Sequence, residues 1–132
     1  MTTFVDTSGI YAVFDRDDTN HSRASEAWRR LLADGAFLLS TNYILLETSA
    51  VLQRRLGVAD LRSFHEDVVP LLEIQWIEEA HHQAAVEAVL AAGKKKLSVV
   101  DCVSFQVIRQ LGIRRVFCFD QHFREQGFDV LP

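Results

Sequence analysis

Four carboxylates in this 132-residue chain stand where they could do chemistry: Asp6, Glu47, Asp101 and Asp120. Asp6 ends the apolar stretch Phe4-Val5 and is followed by two hydroxyl residues, Thr7 and Ser8, and then Gly9. Asp120 ends a second apolar stretch, Val116-Phe117-Cys118-Phe119. An Asp at the carboxyl end of a strand, where a helix begins, sits where open α/β sheets bind their ligands. Glu47 shares a helical face with Ile44 and Val51, on or beside an apolar stripe, where a carboxylate is costly unless paired or metal-bound. Asp101 shares a face with Phe105 and Ile108, so it points toward the sheet.

Each of these residues also has a plainer role. Asp6 and Asp120 are suited to cap the helices that follow them. Ser98-x-x-Asp101 is close to a capping box. Glu47 has Arg54 and Arg55 as possible partners. The combination weighs against four separate explanations. Four carboxylates meeting at one rim would repel one another and raise their own pKa values. A hard divalent cation resolves that repulsion, and oxygen ligands suit Mg²⁺ or Mn²⁺. Such a cleft is a solution for phosphodiester hydrolysis, in which the cation lowers the pKa of water and offsets charge on the attacked phosphate.

The elements that must position these groups follow from the hydrophobic pattern. Strands are expected at Phe4–Asp6, Ala36–Ser40, Glu73–Ile77, Arg115–Phe119 and Phe128–Leu131. The second, an unbroken apolar run, reads as a strand buried on both faces. Helices are expected at about 10–14, 21–33, 41–55, 59–68, 80–92, 98–111 and 121–126, many of them closed by Gly. Alternation of this kind predicts one α/β domain, a three-layer α/β/α sandwich with a parallel sheet of four or five strands. The 48% hydrophobic content, with nine Phe and two Trp, supplies a core. A net charge of −4 argues against a passive nucleic-acid-binding module but not against a metal-dependent nuclease. Cys102 and Cys118 form no CxxC pair and are expected to be free thiols. No membrane segment or leader is recognisable, so a cytoplasmic location is expected.

The motifs then resemble those of the PIN-domain ribonucleases, above all the VapC-like toxins of type II toxin–antitoxin systems. They are Phe4-Val5-Asp6-Thr7-Ser8, Asp18-Thr19-Asn20-His21-Ser22-Arg23-Ala24, Leu46-Glu47, Leu97-Ser98-Val99-Val100-Asp101-Cys102, and Val116-Phe117-Cys118-Phe119-Asp120-Gln121-His122-Phe123 with Gly127. The resemblance spans nearly the whole chain. It implies a catalytic set of Asp6, Glu47, Asp101 and Asp120, with one or two Mg²⁺ or Mn²⁺ ions held by Asp6, Asp101 and Asp120, and Ser8 as a supporting hydroxyl. It implies water as the nucleophile and products with 5′-phosphate and 3′-hydroxyl ends. It also implies an antitoxin partner, often received by the first two helices, and a homodimer. One departure stands out: Cys118 occupies a position where the family commonly has Thr or Ser, and a thiol is a weak donor.

Remaining candidates weigh less. Lys94, Lys95 and Lys96 form a basic loop near Asp101 in sequence, and His122 and Arg124 follow Asp120; all five are candidate substrate contacts. His21 reads as a loop anchor and His81-His82 as an unpartnered pair. Arg114-Arg115 enters the fourth strand at the opposite rim and reads as surface charge, and Tyr11, Phe14 and Trp28 read as core or partner-facing residues. Two other functions compete: a catalytically weak PIN-like module that binds RNA or protein, and a phosphatase or phosphotransferase. The lack of a second Asp two residues after Asp6 speaks against the haloacid-dehalogenase type of phosphatase.

Overall fold

Alternation along β1 (Thr2–Val5) sorts its side chains onto two faces, and the chain builds a core on each. Phe4 faces a core shared with Leu39 and Val116, while Val5 faces one shared with Phe117 and Leu38. The computed structural model describes Met1–Pro132. Its elements follow in the order β1, α1 (Thr7–Phe14), α2 (His21–Ala33), β2 (Phe37–Thr41), α3 (Asn42–Arg55), α4 (Val58–Ser63), β3 (Leu72–Gln75), α5 (Glu79–Ala92), α6 (Val99–Gln110), β4 (Arg115–Phe117), α7 (Gln121–Glu125) and β5 (Asp129–Leu131). After α4 the helix widens into a π turn at Phe64–Val68 and tightens at Val69–Leu71, where Pro70 ends it.

The sheet is five-stranded and wholly parallel, in the order β3-β2-β1-β4-β5. The expected three-layer α/β/α sandwich is therefore what the chain forms. The chain leaves β1 toward β3 on one side and returns to β4 and β5 on the other. The reversal of strand order lies between β1 and β4, so Asp6 and Asp120 flank the crevice where such sheets bind ligands.

Strand ends differ from the expected ones by two residues or fewer, and side chains account for several of the differences. Asn42 Oδ1 accepts from the Ile77 amide at 2.6 Å, which draws Trp76-Ile77 off the third strand. Ser8 Oγ accepts from the Phe119 amide at 2.9 Å, so β4 stops at Phe117. The Phe128 amide donates to the Phe123 carbonyl, in the middle of α7, which delays β5 by one residue.

Helix α3 contributes Ile44 to one core and Leu52 to the other. It therefore straddles the carboxyl edge of the sheet, and Glu47, between those two anchors, comes to the rim. Thr48 Oγ1 donates to Thr7 Oγ1 at 3.0 Å in a buried contact that fixes α3 against the start of α1. Ser40, also fully buried, donates to the Val5 carbonyl at 2.8 Å and steadies the backbone just before Asp6.

Candidate active site

Asp6 is the first residue past β1 and the N-cap of α1. Its Oδ2 accepts from the Ser8 amide at 3.2 Å and from Ser8 Oγ at 2.6 Å. The capping role is real, but it occupies one oxygen; Oδ1 takes no hydrogen bond from the protein. Ser8 Oγ, accepting in turn from the Phe119 amide, ties the end of β1 to the end of β4. Asp6 is only 3% exposed, and burial is the main cause that pushes its pKa up to about 7. The two bonds from Ser8 oppose that shift, and the charges of Asp101 and Glu47 add to it.

Asp120 follows β4 and caps α7, its Oδ1 accepting from the His122 amide at 2.9 Å. Asp101 lies in the first turn of α6, whose N-cap Ser98 accepts from the Asp101 amide at 3.0 Å. The His122 ring stands between the two carboxylates. Its buried Nδ1 is 3.2 Å from Asp120 Oδ1 and 3.5 Å from Asp101 Oδ2, without a well-aligned hydrogen bond to either. Ligand atoms of Asp101, Asp120 and His122 all lie within 4.8 Å of one another. Burial is the main cause that lifts the Asp101 pKa to about 6; the charges of Asp120 and Glu47 add to the shift, and His122 opposes it.

Asp6, Glu47, Asp101 and Asp120 line one open cleft of about 300 Å³, together with Thr7, Ser8, Tyr11, Val51, Arg55 and Ser98. All four carboxylates singled out in the sequence are thus brought together. The donor set fits a hard divalent cation: it is rich in oxygen, it has a carboxylate oxygen left over at Asp6, and two of its acids are held in places that disfavour their charge. A cavity of about 430 Å³ lies elsewhere, between α2 and Arg115, and contains none of the four acids.

The other expected residues divide. None of Lys94, Lys95 and Lys96 lines the acid cleft; the loop that carries them is exposed. Arg124 lines a neighbouring groove of about 240 Å³ that shares Asp120 with the cleft and also holds Asn20, Arg23 and Gln121. His122 is interposed between two acids rather than projecting toward solvent. His21 is a loop anchor, its Nδ1 2.8 Å from the Ala12 carbonyl, and His82 bonds the Tyr43 hydroxyl. Tyr11 was expected in the core or against a partner, yet it lines the cleft. The sequence suggests Arg55 only as an ion-pair partner of Glu47; the structure shows no such pair and puts both residues in the cleft. Their spacing with Val51, at i, i+4 and i+8 along α3, is the signal that could have revealed this.

Cys118 is fully buried, and burial together with the charge of Asp6 pushes its pKa up to about 12, so it stays a neutral thiol. Its Sγ is 3.8 Å from the backbone carbonyl of Asp120 and bonds no carboxylate oxygen. The place of the family's hydroxyl is therefore held by a contact to the main chain. Cys118→Thr should change the single-turnover cleavage rate in Mn²⁺ by less than about threefold, the scale of one weak neutral hydrogen bond. A tenfold gain would mean that the thiol limits the site.

Comparison with known proteins agrees with this geometry. The PIN domain family matches residues 3–129. The "23S rRNA-specific endonuclease VapC20" of Mycobacterium tuberculosis is 28% identical over 131 residues, which is 98% of each chain. The crystal structure of Mycobacterium tuberculosis VapC20, described as a sarcin–ricin loop cleaving toxin, superposes with a TM-score of 0.84 over the whole of both chains. FitAcB from Neisseria gonorrhoeae superposes with a TM-score of 0.69 at 15% identity, over all of this chain and 97% of that one, and shares the fold.

Proposed function

Because the chain belongs to the PIN domain family, we propose that it is a metal-dependent endoribonuclease, the toxin of a toxin–antitoxin pair, that hydrolyses RNA at the four-carboxylate cleft. One observation carries this reading: Asp6, Glu47, Asp101 and Asp120, from four different elements, line a single cleft. That the chain matches a 23S rRNA-specific endonuclease over nearly its full length supports a structured ribosomal RNA hairpin as substrate.

Asp6, Asp101 and Asp120 would hold Mg²⁺ or Mn²⁺, which supplies Lewis-acid stabilisation of phosphate charge and a lowered pKa for water. The protein's own contributions are positional. Ser8 fixes the Asp6 carboxylate and joins β1 to β4. His122 spaces Asp101 and Asp120. Glu47, on α3 across the cleft, enters no ion pair of the protein and, unlike Asp6, accepts no bond from a neighbouring hydroxyl. It is the carboxylate free to orient the water and accept its proton. The water oxygen bonds phosphorus as the bond to the 3′ oxygen breaks. The 3′ oxygen leaves with the bonding pair and takes a proton from solvent in the open cleft to become a hydroxyl, and the 5′ side keeps the phosphate. The 2′-hydroxyl takes no part.

Arg124, in the groove beside Asp120, is the substrate contact this arrangement favours over the lysine loop. Leu46, Trp76 and Leu90 are large apolar side chains exposed in the single chain, which supports an antitoxin or a second copy as their cover. No helix is long and apolar enough to cross a membrane, in keeping with a cytoplasmic site of action.

The test is incubation of the protein with a sarcin–ricin-loop hairpin in Mn²⁺. Cleavage that EDTA abolishes, giving 5′-phosphate and 3′-hydroxyl ends, is expected. A 2′,3′-cyclic phosphate product would exclude water as nucleophile. Binding without cleavage would favour a PIN-like module that holds RNA and does not cut it.

A further inference from the structure

The carboxylate cleft contains one guanidinium, and the acids do not neutralise it. Glu47, Val51 and Arg55 line the cleft from successive turns of α3. Arg55 forms none of the protein's ion pairs, although Asp6 and Glu47 share its cleft. An aromatic ring fixes it instead: its guanidinium carbon lies 5.4 Å from the centroid of Tyr11. That ring is itself held, because the Tyr11 hydroxyl donates to Asp15 Oδ2 at 2.6 Å. The other oxygen of Asp15 accepts from the Asp17 amide at 3.0 Å. Both of its oxygens therefore have partners, and it forms no ion pair with Arg55.

Arg55 also ends α3, where a cation meets the negative end of the helix dipole. That role would serve Arg54 equally, yet Arg54 does not line the cleft. The face of Tyr11 holds the guanidinium in place, and no carboxylate takes up its N–H donors in an ion pair. A planar cation that no carboxylate pairs, beside a site that must accept a polyanion, is matched to two oxygens of one phosphate.

We infer that Arg55, oriented by Tyr11, binds a phosphate of the RNA strand in the carboxylate cleft. The inference rests on the ribonuclease reading and adds to it a substrate ligand on the α3 side, across the cleft from the groove of Arg124. It also explains how a chain of net charge −4 holds RNA at its most acidic point: a cation held apart from the carboxylates meets the strand there.

The test compares the parent with Arg55→Ala, Arg55→Lys and Tyr11→Phe, using a labelled sarcin–ricin-loop hairpin. Three quantities are read: single-turnover cleavage in Mn²⁺ against protein concentration, metal-free hairpin binding by anisotropy across a KCl series, and Mn²⁺ affinity by calorimetry. Arg55→Ala should weaken hairpin binding and raise the half-saturating concentration by about 10- to 100-fold, the scale of charge-assisted bonds to one phosphate. It should lower the salt slope by about 0.7, with Mn²⁺ affinity unchanged or tighter. Arg55→Lys should recover part of the loss. Tyr11→Phe, which keeps the ring, should lie between the parent and Arg55→Ala. A residue acting only on helix stability would not move the salt slope and would not be rescued by Lys. A parent that cuts, with Arg55→Ala equal to it in hairpin binding and salt slope, overturns the inference and leaves the ribonuclease reading standing. A parent that binds through Arg55 but never cuts overturns the ribonuclease reading and upholds the phosphate contact.

Discussion

Asp6→Asn and Asp101→Asn should each lower Mn²⁺-dependent RNA cleavage by roughly a hundred- to a thousandfold or more, while making the metal-free protein more stable at neutral pH. The first effect follows from removing one charged oxygen donor from the cleft. The second follows from burial. The folded-state pKa of Asp6 is pushed up to about 7 and that of Asp101 to about 6, both above the ordinary value of 3.8. Each group thus binds its proton more tightly in the folded chain than in the unfolded one. Their contribution is most favourable below pH 4 and is lost as pH rises through 6 and 7. For Asp6 the loss is on the order of 2–4 kcal/mol. Metal-free parent protein should therefore melt at progressively lower temperature between pH 5 and pH 8. Asp6→Asn should flatten that dependence, with a stability advantage that is largest at pH 8, smaller at pH 5 and gone below about pH 4. Added Mn²⁺ should reverse the ranking at neutral pH, since saturating ligand stabilises the parent by about 2.7 kcal/mol at a hundred times the dissociation constant. Scanning calorimetry with and without Mn²⁺ at the two pH values reads all of this. If both variants cut as fast as the parent, the four-carboxylate site is refuted.

The second large effect concerns Gly9, in the first turn of α1. A Cβ placed there would come within 2.7 Å of the Phe117 ring and 2.8 Å of the Phe117 carbonyl. Phe117 is fully buried and packs against Trp28 at 5.7 Å between ring centroids, so it has little room to yield. The Phe117 carbonyl also accepts from the Asp6 amide at 3.1 Å. Gly9→Ala should cost roughly 1–3 kcal/mol as overpacking, and Gly9→Val more. Because the clash pushes α1 away from β4, cleavage should fall further than the loss of folded protein explains. Denaturant melts paired with rates per folded molecule check this. A Gly9→Ala protein as stable as the parent would mean that α1 stands farther from the sheet.

Asp6, Glu47, Asp101 and Asp120 were legible in the sequence because each stands at the end of an element or on an apolar stripe, where helical and strand periodicity fixes direction. The parallel sheet was legible for the same reason, since Ala36–Ser40 and Arg115–Phe119 read as strands between amphipathic helices. Residues whose position depends on side-chain reach were not. Arg55 and Tyr11 meet across two helices, 44 positions apart, and no local pattern predicts that stacking. Lys94–Lys96 lie near Asp101 along the chain, but the first turn of α6 turns Asp101 into the cleft and leaves the loop outside. Strand ends shifted where Asn42 and Ser8 took up backbone amides that a ladder would otherwise use. Such exchanges belong to tertiary structure.

The order of the strands has a consequence for synthesis. The central strand β1 is made first, but one of its two neighbours, β4, comes from residues 115–117, and the bond from the Phe119 amide to Ser8 Oγ closes only then. Because Asp6 and Asp120 stand on opposite sides of the segment that carries every other strand and helix between β1 and β4, all of that segment must be translated before the cleft can exist. A nascent or prematurely terminated chain carries Asp6, Glu47 and even Asp101 without the strand that gathers them.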